Sequence, residues 1–340
     1  MSQISMHRAE GVVSSASGAA VAAIRARALL WEAPCEEHPD RLVISLWGGK
    51  VALQAQQGDL RVTLEGVEPR QIGLLQDMVT EVLSEAGLRV AWDRVDAGAL
   101  APGLSVMTVL RVSQPSPGFL RVRLQGPDAA RFGLNGLHFR LLLPRPGRAP
   151  VWPRIVASGR TEWPSGPDSL HRPVYTVAAQ AGDWIDFDIF RHANSPTCDW
   201  ALSRPEGSEV AIIGPGGGWC PEGPRLALFG DETALPAIRR MLALAKGEVR
   251  AHLRADPADL GPLAGDARVT RCKDLIGALE ASEIPADSHV WFATGSAEAR
   301  AARQLLLARG IARTSFDAIA YWDAPDAERP AAPKVKEDRT

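Results

Sequence analysis

The stretch GDETALPAI, residues 230–238, decides the fold. A short apolar strand, Leu226 to Phe229, runs into it, and a helical pattern runs out of it. In open α/β sheets this strand-to-helix turn is where phosphates bind, because backbone N–H groups and the helix dipole point there. Yet this turn carries two carboxylates and one glycine. Pro236 has no N–H, so it sits comfortably only where a helix leaves its N–H groups unpaired. Thr233 as the N-cap puts Pro236 third in the helix, whereas Asp231 as the cap would put it fifth. Thr233 is therefore the expected cap, and Asp231 and Glu232 belong to the loop. Two readings stay open. Both carboxylates favour the positive helix end, or they border a dinucleotide site. In the second reading they meet ribose or nicotinamide, while backbone N–H groups of Thr233 and Ala234 face phosphate.

Outward from that turn, residues 225–322 alternate strand and helix patterns. LALF, VRAHL, RVTRC, HVWFAT and FDAIAYW read as strands, with helices from 234, over 273–282 and over 296–309. Such alternation predicts a parallel sheet with crossover helices. Residues 105–218 read differently. SVMTVLRV, FLRVRLQG, HFRLLLP, VYTVAAQ, WIDFDIF and EVAIIG recur between prolines and glycines, which predicts an antiparallel barrel. A proline-rich excursion between HFRLLLP and VYTVAAQ is too long for an idle loop, so a hairpin or a ligand cover is expected there. Residues 22–98 hold three strands joined by hairpin signals, then an amphipathic helix that opens near Pro69 and closes at Gly87. That is a small α+β domain. A disordered leader over 1–21 and a disordered, charged, proline-rich tail over 323–340 complete the expected organisation.

The 340 residues suffice for two or three domains, and 46% hydrophobic with 23% charged content is ordinary for a soluble globular protein. A formal net charge of −2 gives no electrostatic case for a nucleic-acid partner. No run of about 18 apolar residues exists, so membrane insertion is not expected. The four cysteines stand far apart with no CxxC, which argues against an iron–sulfur cluster or a structural zinc and for reduced thiols in a cytoplasmic protein.

A barrel followed by a parallel α/β domain is the layout of the ferredoxin reductase-like flavoenzymes. Within that layout the chain resembles the siderophore-interacting proteins, a family of FAD-containing ferric-siderophore reductases. HRPVYTV (171–177) is similar to the family's Arg-x-Tyr-Thr flavin motif, with one extra residue between Arg172 and Tyr175. GDETALPAI matches the family signature, and HVWFA and AIAYW resemble its last two strands. The resemblance implies an FAD-binding barrel and an NAD(P)H-binding α/β domain. It implies electron transfer from NAD(P)H through flavin to a ferric siderophore, with release of Fe(II). Chemically, Arg172 suits a flavin phosphate, Tyr175 can stack on the isoalloxazine, and Thr176 and Val177 can present polar groups to its edge. By resemblance His192, Ser195 and Thr197 would hold the FAD pyrophosphate, and His138 occupies the place of a histidine near the flavin. Asp231, Glu232, Thr233 and Ala234 would border the dinucleotide.

An anionic chelate calls for a basic pocket, for which Arg239, Arg240 and Arg303 are candidates by their place in the third block. GPGGG (214–218) lacks dinucleotide spacing and reads as a flexible turn that can line the flavin cleft. Two departures from the family stand out. Ala178 replaces an arginine, and Ala293-Thr294-Gly295-Ser296 replaces Ala-Gly-Glu. Both leave open an alternative: a non-catalytic flavin- or siderophore-binding protein that retains the reductase fold.

Overall fold

The computed structural model describes residues 6–323. Contacts divide the chain into two compact units. The first holds residues 1–108, 140–174 and 209–215, and the second holds residues 109–139, 175–208 and 216–340.

An antiparallel sheet of six strands opens the chain, in the order β2-β3-β4-β5-β1-β6. Its strands are β1 (His7–Val13), β2 (Cys35–Glu37), β3 (Arg41–Leu46), β4 (Gly49–Gln56), β5 (Asp59–Gly66) and β6 (Ala91–Trp92). Helices α1 (Ser17–Leu30) and α2 (Pro69–Glu85) bury Ala20, Ile24, Leu75 and Val79 in one core with Ile44, Leu53, Val62 and Leu64. The disordered leader expected over 1–21 is corrected for residues 6–21, while residues 1–5 lie outside the described residues. β1 pairs along its whole length with β5, from His7↔Gly66 to Val13↔Leu60. Its inward positions are Ala9, Gly11 and Val13, and a Cβ on Gly11 would lie 2.6 Å from the Trp92 ring. Such small inward residues leave a faint hydrophobic signature, yet small is what Trp92 requires there. The tail expected over 323–340 lies, apart from Asp323, outside the described residues.

α2 begins as its sequence indicates. Gln71 accepts the Val67 and Glu68 N–H groups at 2.8 and 3.1 Å through one oxygen, and its amide donates to the Trp47 carbonyl at 3.2 Å. The block has its own core, but it is also tied to the proline-rich excursion. Thr161 N–H donates to Asp77 at 2.6 Å, and Arg160 pairs with Glu81 at 3.3 Å. The excursion contains the expected hairpin, β10 (Arg154–Ile155) with β11 (Thr161–Glu162).

The six predicted barrel strands all form: β7 (Leu104–Ser116), β8 (Phe119–Gln125), β9 (His138–Leu142), β12 (Val174–Ala181), β13 (Trp184–Phe190) and β14 (Glu209–Gly216). They close in the order β12-β13-β8-β7-β14-β9. β8 and β13 carry a cross-strand ladder. Arg121 forks onto Asp188 at 2.7 and 2.8 Å, and Arg123 onto Asp186 at the same distances. Both carboxylates are buried, and each sits directly opposite its arginine in the register. A short helix, α3 (Pro196–Leu202), follows β13.

The last part is a parallel sheet in the order β17-β16-β15-β18-β19. Its strands are β15 (Arg225–Asp231), β16 (Glu248–Arg254), β17 (Val269–Arg271), β18 (Ser288–Gly295) and β19 (Phe316–Trp322). Helices α4 (Leu235–Leu244), α5 (Pro257–Leu260), α6 (Leu275–Ala281) and α7 (Ser296–Ala308) connect them. This is the doubly wound order, and its switch point lies between the carboxyl ends of β15 and β18, where such sheets bind ligands. No helix among the described residues is long and apolar enough to cross a membrane.

Candidate functional site

Within the second unit, α4 and α5 grip the barrel. The Arg240 guanidinium donates to the carbonyls of Leu137 and Gly136 at 2.9 and 3.1 Å, and of Phe132 and Gly133 at 3.2 and 3.3 Å. It also lies over the Trp219 ring at 5.0 Å. Burial pulls its pKa down to about 10. Arg239 reaches Asp188 of the ladder at 3.4 Å, and Asp259 accepts the Gly118 N–H at 2.8 Å. A Cβ on Gly118 would lie 2.2 Å from that carboxylate, so only glycine fits. Arg303 donates to the Ala318 carbonyl at 3.2 Å. The three arginines expected to receive an anionic chelate are thus occupied in holding the fold.

Beside Arg240 lies His138 on β9, buried at 6% exposure. Its Nδ1 is 3.1 Å from the Thr176 hydroxyl of β12, and its Nε2 is 3.2 Å from the Tyr321 hydroxyl of β19. The Tyr321 ring meets it edge to face at 5.8 Å. Burial first, then the Arg240 charge, pull the His138 pKa down to about 4, so the imidazole is neutral near pH 7. Gly217 presses on its other side: a Cβ there would lie 2.5 Å from His138 Cδ2, and its φ is +74°. Leu137 N–H donates to the Gly218 carbonyl at 2.9 Å. The glycine run read as a flexible turn is therefore a fitted backing for His138.

Tyr175 is half-buried between Phe187, at 5.0 Å, and Phe139, at 6.5 Å. Burial raises its pKa to about 12 against a smaller opposing effect of a hydrogen bond with Thr197. Val177 is buried and donates its N–H to the Leu137 carbonyl at 3.0 Å. The next residue, Ala178, falls in a register shift of the β12–β13 pairing. Ser195 caps α3, its hydroxyl accepting the Cys198 N–H at 3.2 Å. His192 is exposed and turned to its neighbour, the Ala193 carbonyl, at 3.0 Å. Arg172 belongs to the first unit. Its guanidinium lies over the Trp163 ring at 4.6 Å.

The turn at 230–238 departs from its sequence reading. Asp231, not Thr233, caps it, through a turn of 3-10 helix over Glu232–Ala234 that precedes α4. Pro236 still falls in the first turn of α4, so the proline rule holds while the cap moves. Asp231 is 2% exposed. One carboxylate oxygen accepts the Thr233 N–H at 2.9 Å and the Thr233 hydroxyl. The other accepts the Thr294 hydroxyl at 2.7 Å and the Trp322 indole N–H at 2.8 Å. Asp231 thus faces inward, and the Thr233 N–H is already taken. The contact of Asp231 with ribose or nicotinamide, and of the Thr233 N–H with phosphate, are corrected accordingly. Ala234 is fully buried. Gly230 serves packing: a Cβ would come within 2.6 Å of Ala234 and 2.8 Å of Ile238. Arg254 forks onto Glu298 at 2.6 and 2.7 Å and reaches Thr294 at 3.3 Å. Glu232 is half-buried at the strand end, its pKa raised chiefly by burial.

Comparison with known proteins matches two consecutive segments of the chain. Residues 108–219 match a model described as the siderophore-interacting FAD-binding domain, and residues 224–325 match the siderophore-interacting protein model. The NADPH-dependent ferric-chelate reductase of Escherichia coli is 28% identical over 244 residues, covering 64% of this chain and 92% of that protein. Ferric vibriobactin reductase ViuB of Vibrio cholerae is 28% identical over 170 residues, 46% of this chain and 59% of that protein. The crystal structure of a siderophore utilization protein from T. fusca superposes with a TM-score of 0.57 at 28% identity, covering 68% of this chain and 95% of that one.

The residues present suit FAD. Among the described residues the Thr176 hydroxyl has one partner, His138, which leaves a hydroxyl contact to spend on a flavin edge. Tyr175 offers a half-buried aromatic beside it, and the Gly217 backbone stands where a side chain would crowd His138.

Proposed function

The chain belongs to the siderophore-interacting protein family, and from that premise we propose that it is an FAD-dependent reductase that carries electrons from NAD(P)H to iron in a ferric siderophore. The observation that carries the reading is the convergence of His138 and Thr176 of the barrel with Tyr321 of the parallel sheet. It falls at the joint of the two family-matched segments. The chemistry FAD would supply when bound is hydride acceptance from a nicotinamide and one-electron transfer to each of two ferric ions. The chain's own residues then bind and orient. Tyr175 and Thr176 would line the flavin ring, Ser195, Thr197 and His192 would stand by its diphosphate, and neutral His138 holds Thr176 in place. No general acid or base is required of the protein.

Glu232 is the one acidic group of the turn left to meet a dinucleotide. Glu232→Gln should slow flavin reduction by NAD(P)H, roughly tenfold for one lost hydrogen bond to a charged acceptor. FAD content and melting temperature should stay at the parent values. Stopped-flow reduction beside a thermal melt checks this. Wild-type kinetics would leave Glu232 outside the site.

The chelate's docking place follows from charge. Residues 140–172 hold six arginines against two acids, Glu162 and Asp168, in a chain whose net charge is −2. Arg140, Arg145, Arg148 and Arg172 are all exposed. Arg140 donates to the Arg172 carbonyl at 2.8 Å, Arg145 to the Ser169 hydroxyl at 3.0 Å, and Arg172 stacks on Trp163. Of these four, among the described residues, Arg148 alone meets a carboxylate, that of Asp168. Three fixed guanidinium groups with neutral partners keep their charge available for an anionic chelate. Arg140 follows His138 by two residues on β9. Replacing both Arg140 and Arg145 by Glu should raise KM for a tris-catecholate ferric complex by about a hundredfold, taking a tenfold loss per contact. Reduction by NADPH should be unchanged.

One spectrum tests the whole reading. The purified protein should be yellow, NADPH should bleach it without air, and a ferric chelate should restore the colour while a ferrous trap fills. A yellow protein that NADPH leaves unbleached would favour the binding-only alternative, to which Ala178 and the inward-facing Thr294 lend support.

A further inference from the structure

The tautomer of His138 follows from its two partners. A neutral imidazole has one N–H and one bare nitrogen, so it donates to one neighbour and accepts from the other. The Tyr321 hydroxyl, 3.2 Å from Nε2, is a phenol, and the Thr176 hydroxyl, 3.1 Å from Nδ1, is an alcohol. The phenol is the more acidic donor by far, and donor strength follows acidity. Among the described residues, His138 is also the one hydrogen-bond partner of the Tyr321 hydroxyl. Tyr321 therefore donates to Nε2, and the ring proton sits on Nδ1 and is donated to Thr176 Oγ1. Thr176 receives one hydrogen bond and must send its own proton elsewhere.

We infer that Tyr321 and His138 act as positioning residues that fix the Thr176 hydroxyl as a hydrogen-bond donor toward the bound cofactor. Three elements contribute: β19 supplies Tyr321, β9 supplies His138 and β12 supplies Thr176. Burial and the Arg240 charge keep the imidazole neutral, without which the relay would have donors at both ends. The two hydrogen bonds fix which way round the imidazole sits, because a half-turn would put ring carbons opposite both hydroxyls. The acceptor rests on the reductase reading above: an oxidised flavin presents bare acceptors, N5 and the neighbouring carbonyl oxygen, to a donor of this kind. The relay itself rests on the protein alone.

Nitrogen NMR of the full chain, labelled at its seven histidines, reads the tautomer directly. His138→Gln identifies the signal. The expected result is a proton on Nδ1 and a bare Nε2, the reverse of the Nε2–H form that free histidine prefers. Tyr321→Phe keeps the ring and removes only the hydroxyl. It should shift the Nδ1–H to Nε2–H ratio by roughly tenfold toward Nε2–H, for one hydrogen bond lost. In the FAD-loaded protein, Thr176→Val and Tyr321→Phe should move the flavin absorbance bands and midpoint potential in the same direction, and Thr176→Ser should restore them. A wild-type proton on Nε2 would overturn the relay, as would a Thr176→Val flavin spectrum identical to the parent. A protein with the Nδ1–H tautomer that takes up no FAD would overturn the reductase reading and the donor role together, leaving the hydrogen-bond order intact.

Discussion

Asp231→Ala should lower the melting temperature by about 6–12 °C, the largest loss expected from any single change at the strand end. The two carboxylate oxygens accept from the Thr233 N–H, the Thr233 hydroxyl, the Thr294 hydroxyl and the Trp322 indole N–H. The hydroxyls can turn to other acceptors. The Thr233 N–H and the Trp322 N–H cannot. Each lost hydrogen bond to a charged acceptor is worth about 1.5–3 kcal/mol, so the two fixed donors alone account for roughly 3 kcal/mol. For a unit of this size each kcal/mol moves the midpoint by about 2–4 °C. Asp231→Asn should recover little. Its amide nitrogen must face either the Thr233 N–H or the Trp322 N–H, donor against donor. A thermal melt of both variants beside Glu232→Gln checks the contrast. An Asp231→Ala protein that melts within 2 °C of the parent, taken as roughly 1 kcal/mol or less, would return Asp231 to the surface role its sequence position suggested.

Arg240→Ala should cost about 2–4 kcal/mol, since hydrogen bonds from one charged group to four carbonyls disappear at once. The loss is local as well as global. Phe132, Gly133, Gly136 and Leu137 lead directly into His138, so the histidine loses its support along the chain and from Arg240. FAD should be retained less tightly, and protease cleavage should appear between residues 126 and 137. Arg240→Lys keeps the charge but not the planar fork, so it should recover less than half of the loss. Retention of parent stability in Arg240→Ala would mean that α5 and the Asp259–Gly118 contact suffice to join helix layer and barrel.

Much of this architecture could be read directly from residue patterns. The strand–helix alternation after 225, the six barrel strands and the hairpins of the first block all form where periodicity and turn residues put them. Thr176 meets His138, and Tyr175 lies against Phe139, the next residue of that strand. What was hidden depends on partners far along the chain. Asp231 turns inward because Thr294 and Trp322, 63 and 91 residues away, present donors to it. The part played by Tyr321 was hidden because its polar partner His138 lies 183 residues upstream. GPGGG looked mobile because composition reports freedom of the chain alone, and not the imidazole pressed against it. β1 escaped notice because its inward residues Ala9 and Gly11 are small, Gly11 for the sake of a tryptophan at 92.

The arginine–aspartate ladder of β8 and β13 has a consequence for how relatives of this chain can diverge. Asp186 and Asp188 are each 4% exposed, and each is matched across the strands by one arginine. Removing either partner alone strands a buried charge at about 3–5 kcal/mol, while exchanging both for apolar residues can be close to neutral. Positions 121 and 188 should therefore change together in evolution, and so should 123 and 186. Asp188 also holds Arg239 of α4. Lineages that give up the 121–188 pair should be found to have altered position 239 in the same branch, whereas the 123–186 pair should be found to change with position 184, whose tryptophan ring Arg123 covers at 3.5 Å.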